Sequence, residues 1–228
     1  KFWGSYGITR DILERYNVRS IKSCRFTRED GSTYTESSSY DYPLFAYVNV
    51  SPIYSSDGKK ISEEIKGMKI YRPKSKSSRF MYVGVLQKPY MFGDTAWPYN
   101  TSKKEDVIYI TGGEKDTLSL LSHGFHAICL NSETARVSRV WIESMLHKFR
   151  WVVFLYDCDA CGKKESLARV EEFRQQYSTV IRLVLPLAGT KAEKDISDFF
   201  ALGHTAEELQ SLTLDAQCSA FNYKSQDI

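Results

Sequence analysis

The chain has 228 residues, 42% of them hydrophobic and 14% aromatic, which excludes a disordered chain and allows one large domain or two small ones with cores of their own. No apolar run approaches the roughly 18 residues of a membrane span, and Lys1-Phe2-Trp3-Gly4 has neither a methionine nor a signal-peptide profile, so the chain reads as a piece of a longer protein. The net charge of +3 divides unevenly: residues 1–105 hold 18 Lys+Arg against 11 Asp+Glu, residues 106–228 hold 13 against 17, which reads equally as a basic surface for polyanions beside a site for cations or as ordinary surface variation. Cys24, Cys129, Cys158, Cys161 and Cys218 are odd in number and scattered, which implies no disulfide framework and fits a cytoplasmic, reducing setting.

In chain order, Thr9 is a plausible N-cap for a short helix with Ile12, Leu13 and Tyr16 at helical spacing. From Val18 to Gly84 short β-rich runs follow, among them Leu44–Val50, Met68–Tyr71 and Arg79–Val83, broken by Gly31-Ser32, Asp57-Gly58 and Pro73. An aromatic, turn-rich connection from Pro89 to Ser102 leads to Lys103-Lys104-Glu105, and a boundary is expected near residue 100. The period then changes. The apolar runs Asp106–Thr111, His126–Leu130, Trp151–Tyr156 and Val180–Leu185 alternate with helical patterns near Lys115–His123, Val137–Phe149 and Lys163–Tyr177. Such alternation predicts a parallel sheet covered on both faces. Two helical stretches, near Ile196–Leu202 and Ala206–Phe221, close the chain.

Ligands of open α/β sheets gather at the carboxyl ends of the strands, and this sequence places acids after three of them. Gly112-Gly113-Glu114-Lys115-Asp116 follows the first run, Asp157-Cys158-Asp159-Ala160-Cys161-Gly162 the third, and Lys194-Asp195-Ile196-Ser197-Asp198 comes after the fourth. Converging carboxylates with open positions suit Mg²⁺, whose octahedral shell is shared with water and phosphate. Each piece alone is weak: a single Asp-x-Asp is more often a helix cap or a solvated loop, and Asp195 and Asp198 complement the positive end of a helix just as well. The ordered set is much more specific.

That order (strand, Gly-Gly-Glu-Lys-Asp, helix; strand, Asp-x-Asp-x-x-Gly, helix; strand, Lys-Asp-x-x-Asp-Phe) resembles the TOPRIM domain of bacterial-type primases, topoisomerases and some nucleases and recombination mediators. Thr111–Leu121 looks most like the primase and phage primase-helicase branch, and the resemblance covers about residues 106–203. It implies an α/β, Rossmann-like parallel sheet with flanking helices, preceded by a mixed β-rich subdomain. The expected organisation is residues 1–104, 105–205 and a helical segment 206–228. The resemblance further implies a DNA primase catalytic core that builds RNA primers on single-stranded DNA from ribonucleoside triphosphates with Mg²⁺ or Mn²⁺. A replicative helicase would be a further partner, and no membrane is involved. Asp157, Asp159, Asp195, Asp198 and Glu114 are the expected metal ligands, Glu114 and Asp116 the catalytic acids, and Lys115 and Lys194 contacts to phosphate. A TOPRIM metal-dependent nuclease and a non-catalytic nucleic-acid-binding module are the alternatives.

The first motif departs from the family pattern. TOPRIM domains carry Glu-Gly-x-x-Asp there, and aligned on Gly113 and Asp116 the Glu position is Gly112. Two acids could stand in: Glu114, two residues on, and Glu133, after the second strand. Glu114 is preferred because its loop directly follows the first strand.

Lys66, Lys69, Arg72, Lys74, Lys76 and Arg79 fall within fourteen residues that contain no acid. Basic side chains neutralise phosphates and exposed aromatics stack on unpaired bases. The primase resemblance assigns Arg72, Lys74, Lys76 and Arg79 to the template strand and the triphosphate, while Ile70, Phe80 and Tyr82 are read as hairpin core. Cys158-x-x-Cys161 lacks a second Cys/His pair at metal-site spacing, and redox or zinc chemistry there is disfavoured.

Overall fold

The computed structural model describes residues 1–76, 78–86, 88–95 and 104–224, with side chains through Phe221. The chain forms two compact units, Arg10–Pro89 and a larger one made of Lys1–Thr9 together with Tyr90–Ile228. No helix among the described residues is long and apolar enough to cross a membrane.

In the smaller unit, α1 (Arg10–Arg15) precedes a four-stranded sheet in the order β1 (Val18–Ser20), β4 (Phe45–Tyr54), β5 (Lys60–Tyr71), β6 (Phe80–Gly84), and a separate pair β2 (Ser23–Thr27) and β3 (Thr33–Ser37). All the pairings are antiparallel. The core lies where β4 and β5 begin and end, with Phe45 opposite Tyr71 and Ala46 opposite Ile70. Alternation along β6 turns Phe80 and Tyr82 outward, 37% and 50% exposed. The core reading of these two rings is thereby corrected: β6 is an edge strand whose inner face carries Met81 and Val83, and only Ile70 of the three is buried.

The larger unit is a five-stranded sheet in the order β11 (Val180–Arg182), β10 (Phe149–Leu155), β8 (Glu105–Thr111), β9 (His126–Cys129), β7 (Phe92–Gly93). The first four strands are parallel and β7 is an antiparallel edge. Even positions such as Ile108, Ile110, Ile128, Val152 and Phe154 pack on one face under α3 (Arg139–Lys148) and α4 (Ala160–Phe173). Odd positions such as Tyr109, Ala127, Trp151 and Val153 pack on the other against α2 (Glu114–Ser122), α5 (Ile196–Ala201) and α6 (Ala206–Lys224). Burial on both faces is why these strands read as unbroken apolar runs.

The compact units divide ten residues before the change of composition. Phe92 pairs with Cys129, which ties the start of the aromatic connection to the larger sheet. The boundary expected near residue 100 lies, with residues 96–103, outside the described residues. The closing helix buries Leu209 in the same core as Val153 and Phe199, so it is part of this unit rather than an appendage.

From β8 the chain crosses to β9 on one side, then returns to β10 on the other. The loops that leave β8 and β10 therefore diverge in opposite directions and open a crevice between their carboxyl ends, the position at which open α/β sheets bind ligands.

Candidate metal centre

Three carboxylates meet at this crevice. One oxygen from each of Asp116, Asp157 and Asp195 lies within 4.8 Å of the others. That is the scale of a cation's shell, in which opposed ligands at about 2.1 Å stand about 4.2 Å apart. Asp116 comes from the first turn of α2, Asp157 from the loop after β10, and Asp195 from the start of α5. Asp116, read from the sequence as a catalytic acid, lies among the ligand-compatible oxygens.

Two lysines thread the cluster. Lys115 Nζ lies 3.0 Å from both carboxylate oxygens of Asp195, 3.7 Å from Asp116 and 3.8 Å from Asp198. Lys194 bonds Asp157 and stands 3.6 Å from Asp159. Burial works against the charge on Lys115, yet Asp116 and Asp195 outweigh it and hold the ammonium's pKa above its ordinary value. Lys194 is raised in the same way, burial being overcome by Asp157. Burial pushes Asp116 well up, reinforced by Asp195 and opposed by Lys115. Burial likewise raises Asp157, against the pull of Lys194, and raises Asp198, with Asp195 adding to it. Carboxylates whose charge is disfavoured by burial and by one another, with two ammonium groups among them in the described residues, gain from a divalent cation.

The chemistry of the donors fits a hard cation. All are carboxylate oxygens, whereas Cys158 is buried in the core with its Sγ directed to the Leu185 carbonyl at 3.4 Å, and Cys161 is exposed.

Two of the acids also do the plainer work weighed against them in the sequence. Asp159 caps α4 by accepting from Gly162 N–H at 2.9 Å, and Asp195 caps α5 by accepting from Asp198 N–H at 2.9 Å. Asp198 accepts from Lys194 N–H at 3.1 Å. Gly162 is required here by space: a Cβ on it would lie 2.2 Å from the Asp157 carbonyl oxygen and 2.7 Å from its nitrogen.

Glu114 stands apart from the three. It is 1% exposed, and its carboxylate accepts from the Tyr90 hydroxyl at 2.7 Å. Glu133 lies in the loop beyond β9 and accepts from Asp157 N–H at 2.9 Å. Burial, with Asp157 and Asp159 nearby, pushes its pKa up to about 7, although the Asp157 N–H bond works the other way.

Several neighbours of the site were invisible in the sequence. The Ser197 hydroxyl donates to Asp116 at 2.7 Å, and the Tyr6 ring lies 4.3 Å from Lys115 Nζ. Ser197 sits inside the Lys-Asp-x-x-Asp stretch and only its helical position aims it at Asp116; Tyr6 carries no local signal at all.

In the smaller unit the basic residues divide by environment. Lys74, Lys76 and Arg79 are exposed, and the first two line a cavity of about 360 Å³ with Glu36, Tyr42 and Arg72. The Arg72 side chain is only 12% exposed: it pairs with Glu36 at 2.7 Å and donates to the Ser78 carbonyl at 2.9 Å.

The fold and the acidic crevice define a class: the chain has the fold of the catalytic domains of DnaG-type and phage primases. Among similar solved structures is the primase fragment of the bacteriophage T7 primase-helicase, at a TM-score of 0.57 and 18% identity over 92% of this chain and 71% of that one. The Aquifex aeolicus primase zinc-binding and RNA polymerase domains align at 0.60 and 17%, over 94% of this chain and 55% of that one. A DnaG primase catalytic domain bound to single-stranded DNA aligns at 0.60 and 15%, over 98% and 73%. No protein-family sequence model and no curated protein sequence matches the chain.

Proposed function

We infer that this chain is the catalytic core of a DNA primase, a TOPRIM-type nucleotidyltransferase that joins ribonucleotides on a single-stranded DNA template. The observation that carries the reading is the meeting of Asp116, Asp157 and Asp195 at the crevice between β8 and β10, within a fold shared with primase catalytic domains.

In this reading Asp116, Asp157 and Asp195 hold Mg²⁺ or Mn²⁺, and Asp159 and Asp198 orient that set through Lys194 and Lys115. The cation supplies charge neutralisation on the triphosphate and polarises the attacked phosphorus. The lysines balance the carboxylates until a nucleotide arrives, and each is then placed to turn to a phosphate oxygen. Glu114, buried against Tyr90, keeps the loop after β8 in the shape that presents Lys115 and Asp116. Catalysis rests on positioning and charge rather than on a covalent intermediate.

The exposed Lys74, Lys76 and Arg79 are the template-binding side chains, and Arg72 shapes their loop by holding Glu36 and Ser78. One similar structure is the primase part of a primase-helicase, which makes a replicative helicase the partner to seek. The odd number and scatter of the cysteines fit a cytoplasmic setting.

The test is primer synthesis on single-stranded DNA with labelled ribonucleotides and Mg²⁺ or Mn²⁺, with Asp157→Ala in parallel. The expected result is metal-dependent synthesis by the native chain and none by the variant. Metal-dependent cleavage without synthesis would replace this reading with a nuclease, and DNA binding with neither activity would replace it with a binding module.

A further inference from the structure

The short 3-10 turn Trp3–Tyr6 belongs to the larger unit, where it packs against α5 with Trp3 buried. Two serines of α2 fasten it. Ser119 Oγ donates to the Tyr6 carbonyl at 3.0 Å, and Thr9 N–H donates to Ser122 Oγ at 3.1 Å. Between these bonds the chain turns at Gly7, with a φ of +70°, where a Cβ would lie 2.6 Å from His123 Cε1. His123 in turn stacks on Phe200 of α5, the ring centroids 3.6 Å apart.

Ser119 and Ser122 come four and seven residues after Lys115, so all three lie on one face of α2. A segment fastened to the two serines therefore runs alongside Lys115. The Tyr6 ring lies 4.3 Å from Lys115 Nζ, whose hydrogen bonds go to the two Asp195 oxygens. A ring within about 6 Å attracts an ammonium through its quadrupole, most strongly when both are out of water. The Lys115 side chain is largely buried. An aliphatic side chain in place of Tyr6 would exclude water equally but would not attract the charge. Without that attraction the flexible lysine stem is free to spread its ammonium over Asp116, Asp195 and Asp198, all within 3.8 Å.

We propose that Tyr6 is a positioning residue of the crevice, whose ring holds the Lys115 ammonium at Asp195, ready for a phosphate oxygen of the incoming nucleotide. The inference rests on the proposed primase reading, in which Lys115 turns to the triphosphate. It gives the turn Trp3–Tyr6, more than 100 residues before the acidic motifs, a part in the site they form.

The experiment uses the whole chain with Tyr6→Leu, Lys115→Met and the two combined. Urea unfolding in chelator reads the contact: the loss caused by Tyr6→Leu should shrink by about 2- to 30-fold in folding constant when Lys115 is already Met, the range of a cation–π contact. Replacing Tyr6 by phenylalanine keeps the ring, and phenylalanines bearing one, two and three fluorines weaken the ring's negative face while barely changing its size. Stability should fall in step with the fluorines, which a merely structural ring would not show. Primer synthesis reads the role: Tyr6→Leu should raise KM for ribonucleotides by about 2- to 30-fold with a smaller change in kcat.

A flat response to fluorination, or additive effects of Tyr6→Leu and Lys115→Met, would overturn the proposal. So would graded stability beside an unchanged KM in a chain that makes primers. Graded, coupled stability in a chain that makes none would uphold the hold of Tyr6 on Lys115 and sink only the polymerase reading.

Discussion

Lys115 Nζ lies at the same 3.0 Å from both oxygens of Asp195, and it is flanked in sequence by Asp116, the neighbour its charge also steadies. One ammonium group thus joins the start of α2 to the start of α5. The Lys115 side chain is 16% exposed and that of Asp195 9%, so the pair is shielded from the solvent that makes most ion pairs weak. Removing one member leaves uncompensated buried charge.

Lys115→Met should accordingly cost about 3 kcal/mol of stability in chelator at neutral pH, the lower end for breaking a buried pair. Urea denaturation gives the number. Millimolar Mg²⁺ should restore part of the loss, because a cation takes over the balancing charge. An unchanged midpoint in chelator would mean that Lys115 is dispensable to the cluster.

Asp157→Asn tests the cation directly. The variant keeps its size but loses charge at the residue nearest Lys194 and Glu133. The rise in melting temperature produced by Mn²⁺ in the native chain should largely vanish, and primer synthesis should fall by about 100-fold or more. A full thermal response to Mn²⁺ would place the ion elsewhere.

The pH dependence follows from the sign of the shifts. Asp116, Asp157 and Glu133 all have pKa values raised above the ordinary carboxylate range, chiefly by burial. Between that range and their folded values the native chain binds more protons than the unfolded chain, so metal-free stability falls as pH rises. For Glu133 the window closes near its pKa of about 7. Lys115 and Lys194, also raised, contribute constantly across this window, since their contribution is lost only at much higher pH. Cations bind the deprotonated carboxylates, so the stabilisation by Mn²⁺ should grow from about pH 5 to about pH 8. Melting curves with chelator and with Mn²⁺ across that range measure both trends. A metal-induced shift that shrinks with rising pH would contradict the assignment.

Gly162→Ala adds one methyl group against backbone. Its Cβ would meet the Asp157 carbonyl oxygen at 2.2 Å, and neither partner is a flexible side-chain end. The expected cost is about 2 kcal/mol, the middle of the range for overpacking, together with weaker Mn²⁺ binding because Asp157 must move. Denaturation and Mn²⁺ titration of the same variant test the two effects.

In the smaller unit the four cations named from the sequence should separate into two kinds. Replacing Lys74, Lys76 and Arg79 together by Gln should weaken single-stranded DNA binding and reduce the slope of log K against log salt by about 2, at about 0.7 per phosphate contact on a single strand. Arg72→Ala should instead lower stability by about 1–2 kcal/mol, as the loss of charged hydrogen bonds to Glu36 and Ser78 predicts. Fluorescence anisotropy at several salt concentrations and denaturation of each variant make the distinction. Equal salt slopes in the native and triple-variant chains would remove these residues from the DNA contact.

The sequence by itself determined the parallel sheet, because strands buried on both faces must be apolar without interruption and the helices between them must carry a period of their own. It also determined which loops carry acid: Glu114 to Asp116 and Asp157 to Asp159 follow a strand directly, and Asp195 to Asp198 open the helix that comes after the last strand. Only the tertiary structure decided which of those acids meet. Asp116 faces Asp195 because Lys115 and Ser197 bridge α2 and α5, a contact across some 80 residues that no local pattern encodes. Glu114, preferred on nearness to the first strand, is drawn instead to Tyr90, a residue outside the motif. Glu133 reaches Asp157 because β9 and β10 flank β8 and Gly112 leaves the way open. Nearness along the chain placed the loops; the order of strands in the sheet, set by packing between distant segments, decided which carboxylates share a site.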